Sequence, residues 1–110
     1  MMQADEVRQR FSKIEQTIHQ ASQACERAGS GVPSDLKNSI QQLDQQSSKA
    51  KQQLQQAKDQ QSIQQCVDQL EELGDKAKAA CEKGGNVDEQ LKNAVMQAHD
   101  ELRQLKHQLH

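Results

Sequence analysis

The feature that most constrains this chain is the placement of its apolar residues. In four separate stretches they recur at alternating spacings of four and three, the period that puts side chains on one stripe of an α-helix. The first stretch is Val7, Phe11, Ile14, Ile18, Ala21, Cys25 and Ala28; the second is Leu36, Ile40, Leu43, Ser47, Ala50, Leu54 and Ala57. The third is Ile63, Val67, Leu70, Gly74, Ala77 and Cys81; the fourth is Leu91, Val95, Ala98, Leu102, Leu105 and Leu109. Two apolar positions in seven make a narrow seam, which has to be covered by other seams of the same kind. Four seams predict four helices.

The stretches are also related in pairs. Residues 24–38 read ACERAGSGVPSDLKN and residues 80–93 read ACEKGGNVDEQLKN. Upstream, an offset of 56 carries Phe11, Ile14, Ala21, Ala24 and Cys25 onto Val67, Leu70, Ala77, Ala80 and Cys81. Downstream, after a one-residue deletion, an offset of 55 carries Leu36, Lys37, Asn38, Ile40, Lys51 and Leu54 onto Leu91, Lys92, Asn93, Val95, Lys106 and Leu109. A self-match of this length marks one supersecondary unit used twice, over about residues 3–58 and about 60–110. Neither amphipathic hairpin can bury its seam alone, and the second supplies the other half of a core. The expected architecture is therefore all-α: an antiparallel up-down-up-down four-helix bundle built from a duplicated helical hairpin, one domain over residues 1–110.

The connections carry fitting punctuation. Gly29 and Gly84 suit the left-handed conformation that ends helices, and Pro33 is tolerated only in a first turn. Asn86 with Glu89 forms a near capping box for the last helix. The segment QQAKDQQSIQQ has neither Gly nor Pro, so one long central helix is an alternative there. Phase argues against a straight one: continuing the second seam past Ala57 reaches Gln61, Gln64, Asp68 and Glu71, whereas the apolar residues are Ile63, Val67 and Leu70. A tight turn near 58–62 is expected, with Ser62 and Gln65 as candidate caps.

Such a bundle has little to bury. Leu, Ile, Val and Phe together supply 19 of 110 residues, aromatics are 1%, and the mean hydropathy is −1.05. Near the Gly loops, Ala21, Cys25, Ala28, Gly74, Ala77 and Cys81 would face Leu36, Ile40, Leu91 and Val95; small against large can interdigitate there or equally leave a cavity, first of all at Gly74, where the first repeat has Ile18. A thin core of this kind can also recruit a second copy, which keeps a homodimer open. Glutamine, a fifth of the chain, suits a solvated helix face of good helix formers first, and a polar contact surface for a partner second.

A net charge of −2 and a pI near 6.1 provide no field to hold a phosphate backbone or an anionic membrane, so nucleic acid and membrane are not expected partners. Residues 1–10 lack the apolar run of a signal peptide, and no segment approaches a membrane span. Three cysteines without a tight CxxC pair suit reduced thiols, and the expected location is the cytoplasm.

No catalytic constellation emerges. No glutamate has His three residues on, HExxH is absent, and no zinc-finger spacing occurs, so neither a metal nor a cofactor is expected. His99, His107 and His110 read as surface residues of the last helix, with His107 and His110 able to hold a stray divalent ion. The fold class resembles histidine phosphotransfer modules, whose His is followed by Leu-Lys-Gly; His19 and His99 lack that context, and the resemblance stops at fold. The Gly loops precede helix N-termini, where anions can bind, but Asp35, Asp88 and Glu89 already place negative charge there. Cys25 and Cys81 occupy seam positions as small hydrophobes, and Cys66 stands beside the seam, the thiol best placed to react. Lys37, Asn38, Lys92 and Asn93 recur on matching helix faces as candidate contact points. These readings point to a non-enzymatic helical bundle that works through protein contact, as an adaptor, small chaperone-like binder or self-assembling module. The alternative is a thiol or histidine phosphoryl relay.

Overall fold

Helices form where the seams place them. The computed structural model describes residues 4–56, 59–84 and 87–109. These residues form α1 (Ala4–Ala28), a single 3-10 turn (Gly29–Gly31), α2 (Ser34–Gln56), α3 (Gln60–Lys83) and α4 (Glu89–Leu109), and they contain no strand. Of the seam residues named above, all that are described are buried except Ala28, which is half-buried at the end of α1. Ala57 lies outside the described residues.

Because each helix has one apolar stripe, each must share it with two neighbours. α1 packs on α2 and α4, and α3 packs on the same two, so α1 faces α3 and α2 faces α4 across the diagonals of a ring. Arg8, near the start of α1, donates to the Leu54 and Gln55 carbonyls in the last turn of α2, at 3.1 and 3.4 Å. Those carbonyls have no partner within their own helix, and the guanidinium satisfies them. Gln64, near the start of α3, serves the Leu109 carbonyl at the end of α4 in the same way. The molecule measures 42 × 21 × 17 Å, with the helices along its length.

The core divides into two buried clusters. One gathers the larger side chains, among them Phe11, Ile14, Ile18, Leu43, Leu54, Val67, Leu70, Leu102 and Leu105. The other sets Ala21, Ala24, Cys25, Ala77 and Cys81 against Leu36, Ile40, Leu91 and Val95. Small against large interdigitates here, one of the two outcomes the sequence pattern allows.

At Gly74 the space is filled. A Cβ there would lie 3.4 Å from Leu102 Cδ1 and 3.7 Å from His99 Cα, so α4 occupies the space that a side chain would take. The reason is an exchange of bulk between repeat-aligned positions. α1 has Ile18 where α3 has Gly74, and α2 has Ser47 where α4 has Leu102; Ile18, Ser47 and Leu102 have no measurable exposure.

Two details of punctuation differ from expectation. Gly29 does take the left-handed conformation, with φ of 62°, and the Val32 N–H closes onto its carbonyl at 3.3 Å. Gly84 does not: it is right-handed helical at φ −72°, ψ −13°, and its N–H bonds the Ala80 carbonyl. Glycine is needed there for room, since a Cβ would come within 2.9 Å of Val87 Cγ2 and 3.0 Å of Pro33 Cγ. The chain does break between α2 and α3, but Asp59 is the cap, not Ser62; its carboxylate accepts the Ser62 backbone N–H at 2.8 Å, and the extended backbone of Asp59 starts the helix. The expected cap Asn86 and part of the turn at 57–58 lie outside the described residues.

Candidate functional site

The polar side chains between helices are not scattered. Within the α1–α2 pair, Glu15 lies 3.8 Å from Lys51 and His19 Nδ1 lies 2.8 Å from Asp44 Oδ1. Within the α3–α4 pair, Glu71 lies 3.4 Å from Lys106, and His99 Nε2 bonds Asp75. The repeat offsets carry Glu15 onto Glu71, Lys51 onto Lys106, His19 onto Asp75 and Asp44 onto His99. One rung is kept and the other is kept with its two ends exchanged. The capping contacts Arg8–Leu54 and Gln64–Leu109 form a third matched rung.

The exchange changes the character of the imidazole. His19 is 60% exposed, whereas His99 is 2% exposed, contrary to its reading as a surface residue. Gly74 is the cause: with no side chain on α3 at that level, the His99 ring packs into the interface, its Cδ2 3.9 Å from where a Cβ would stand. His99 Nε2 is turned toward Asp75 and Nδ1 lies 3.4 Å from Asp100. Glu71, one helical turn before Asp75, is also buried. One ligand atom each from Glu71, Asp75 and His99 lies within 4.8 Å of the other two. Sequence reading missed this set because its members come from two helices and match no linear motif. The signal was present in the repeat, which aligns a His with an Asp twice in opposite senses.

His107 is exposed near the end of α4, and His110 lies outside the described residues. Cys25 and Cys81 are buried in the same small-residue cluster, and Cys66 is half-buried with its thiol 3.1 Å from Gln53 Oε1. Burial pushes all three thiols up from their ordinary range; Lys37 beside Cys25 and Lys92 beside Cys81 pull the other way and are outweighed. A raised thiol is a poor nucleophile at neutral pH, so the two core cysteines behave as the small hydrophobes their seam positions suggest.

The sides of the ring differ. Between α1 and α4 runs an open groove of about 630 Å³, lined by Arg10, Lys13, Asn93, Met96, Gln97 and Glu101 among others. Between α2 and α3 lies one of about 530 Å³ that includes Asn38, Ser39, Gln42, Lys76 and Lys83, and another of about 380 Å³ lined by Gln53, Gln56, Gln65 and Gln69. The dimple between α1 and α2 holds only about 70 Å³. Asn38 and Asn93 therefore each stand in a groove between hairpins, and one turn on, Gln42 and Gln97 do likewise. Lys37 and Lys92 are exposed. No helix among the described residues is long and apolar enough to cross a membrane. No protein family, curated protein or solved structure matches this chain.

Proposed function

We propose that this protein is a non-catalytic helical module of the cytoplasm that works by protein contact, seating helical segments of a partner in the grooves between its hairpins. One observation carries this reading: the repeat-aligned pairs Asn38–Gln42 and Asn93–Gln97 each line an open groove, on opposite sides of the ring. Amide side chains offer donors and acceptors together, which suits the polar edge of an incoming helix. Met96 adds a flexible apolar contact in the α1–α4 groove, where Arg10 and Lys13 face Asp100 and Glu101 across a mixed-charge rim. Two such grooves on one rigid body make an adaptor with two attachment points for the same kind of segment.

The test is site-specific photo-crosslinking in cells, with the reactive group placed in turn at Gln42, Gln97 and Ser12, a solvent-exposed residue on the α1–α2 side. Crosslinks to the same partner peptide from Gln42 and Gln97, and none from Ser12, are the expected result. Equal labelling from all three positions, or none, would overturn the reading. A second copy of the chain is one partner this experiment identifies directly.

His19 supports a second reading, a phosphoryl relay, because its ring is exposed on a four-helix scaffold and oriented through Nδ1 by Asp44. In that reading an imidazole nitrogen attacks the phosphorus of an acyl phosphate and the carboxylate leaves. Intact mass after acetyl phosphate treatment decides it: one added phosphoryl group that is lost in His19→Gln supports the relay, and an unchanged mass removes it.

A further inference from the structure

We propose that Glu71, Asp75 and His99 form a binding site for one first-row divalent metal ion, with Zn²⁺ the best suited. The three ligand atoms already converge to within 4.8 Å of one another, and among the described residues this is the one set of three that does so. Ligands about 2.0–2.2 Å from a tetrahedral zinc stand about 3.3 Å apart, so an ion entering the set parts the hydrogen-bonded His99 and Asp75 and draws the wider separations in.

Three further features suit a metal rather than a plain ion pair. The imidazole is fixed by burial, so its Nε2 is aimed into the set before any ion arrives, with Gly74 providing the space that holds the ring. Its other nitrogen lies 3.4 Å from the Asp100 carboxylate, which can accept a hydrogen bond from Nδ1–H and so favour the tautomer whose Nε2 is free to ligate. A carboxylate behind a ligating histidine fixes the tautomer and raises its basicity. Finally, Asp75 is 55% exposed, so the buried ligands open to solvent on one side and water can complete the coordination.

The local charge favours a cation. Glu71, Asp75 and Asp100 surround the ring, against the single ammonium of Lys106 on Glu71. That ammonium is the competitor: the metal displaces Lys106 from Glu71 and the proton shared by His99 and Asp75. The aligned set in the other hairpin, Glu15, His19 and Asp44, has the same residue types with the histidine out in water, and serves as an internal control.

The experiment is a Zn²⁺ titration of the tag-free full chain in a Cys66→Ser background, read by calorimetry and by the side-chain NMR signals of the histidines. We expect one ion per chain, with the His99 signals moving first. Asp75→Asn should weaken binding about tenfold or more, and Lys106→Met should tighten it. Melting of each variant without metal shows that the fold is kept, since both positions lie at the edge of the core. Absence of stoichiometric binding, binding that Asp75→Asn leaves unchanged, or shifts confined to His19 and His107 would overturn the proposal.

Discussion

At the scale of single residues, this structure turns on side chains that are small, absent or short. Gly74 shows it best, because a missing side chain on one helix admits a leucine and a histidine from the next. Asp59 acts by a short carboxylate that takes up a free N–H of α3, and the Ser62 hydrogen bonds hold its carboxyl below the ordinary range. A lowered folded-state value means stability that is present above the unfolded value, near 3.9, and lost as pH falls through the folded one. Asp59→Asn should therefore unfold at the same pH or slightly higher in an acid titration followed by circular dichroism, with a shallower dependence on pH below 4. The thiols run the opposite way: their raised values leave them neutral and packed at pH 7. Iodoacetamide should modify Cys66 at least several times faster than Cys25 or Cys81 in the native protein, and all three alike in urea, as peptide mass mapping would show.

At the scale of elements, the four helices and their seams were legible in the sequence because a helix writes its buried face at a fixed period. Val7, Leu36, Val67 and Leu102 needed nothing more than spacing to be placed in the core. The caps were half legible: Gly29 behaves as its type suggests, while Gly84 is set by the close approach of Val87, three residues on, and of Pro33 from the first hairpin, which no local pattern reports. The rungs between helices were not read, because His99 and Asp75 meet only once α3 and α4 are packed. The exchange of bulk gives a quantitative test. Gly74→Ile should overpack α4 and cost about 1–3 kcal/mol, and Leu102→Ser should cost about 2–5 kcal/mol through the space it empties. Together they reproduce the pattern of the first hairpin, and the double variant should be less damaged than the two costs combined, by about 0.5–3 kcal/mol in urea denaturation.

At the scale of the whole molecule, a polar chain closes a narrow core and leaves its outer faces to glutamine and charge. The ring arrangement makes two sides laced by ion pairs and two sides grooved, and this division could be known only from the packed helices. Light scattering during gel filtration should give the same mass with and without reductant, because Cys25 and Cys81 are enclosed and the half-buried Cys66 thiol is held neutral. A dimer that vanishes with reductant would point to a disulfide through Cys66.

The exchange of bulk carries one more consequence. Gly74 of α3 takes up Leu102 of α4, whereas the aligned pair in the first hairpin is Ile18 and Ser47. Bulk at this level is thus distributed differently in the two halves, and a core made from two copies of one half would place the same bulk twice. Each half should therefore mate better with the other than with itself. Cut between α2 and α3, the chain should behave as a pair of obligate complementary fragments: residues 1–58 and 60–110 each weakly helical alone, and helical on mixing at one to one. That is the behaviour wanted of a split tag, reached here by moving a few methyl groups from one side of a core to the other.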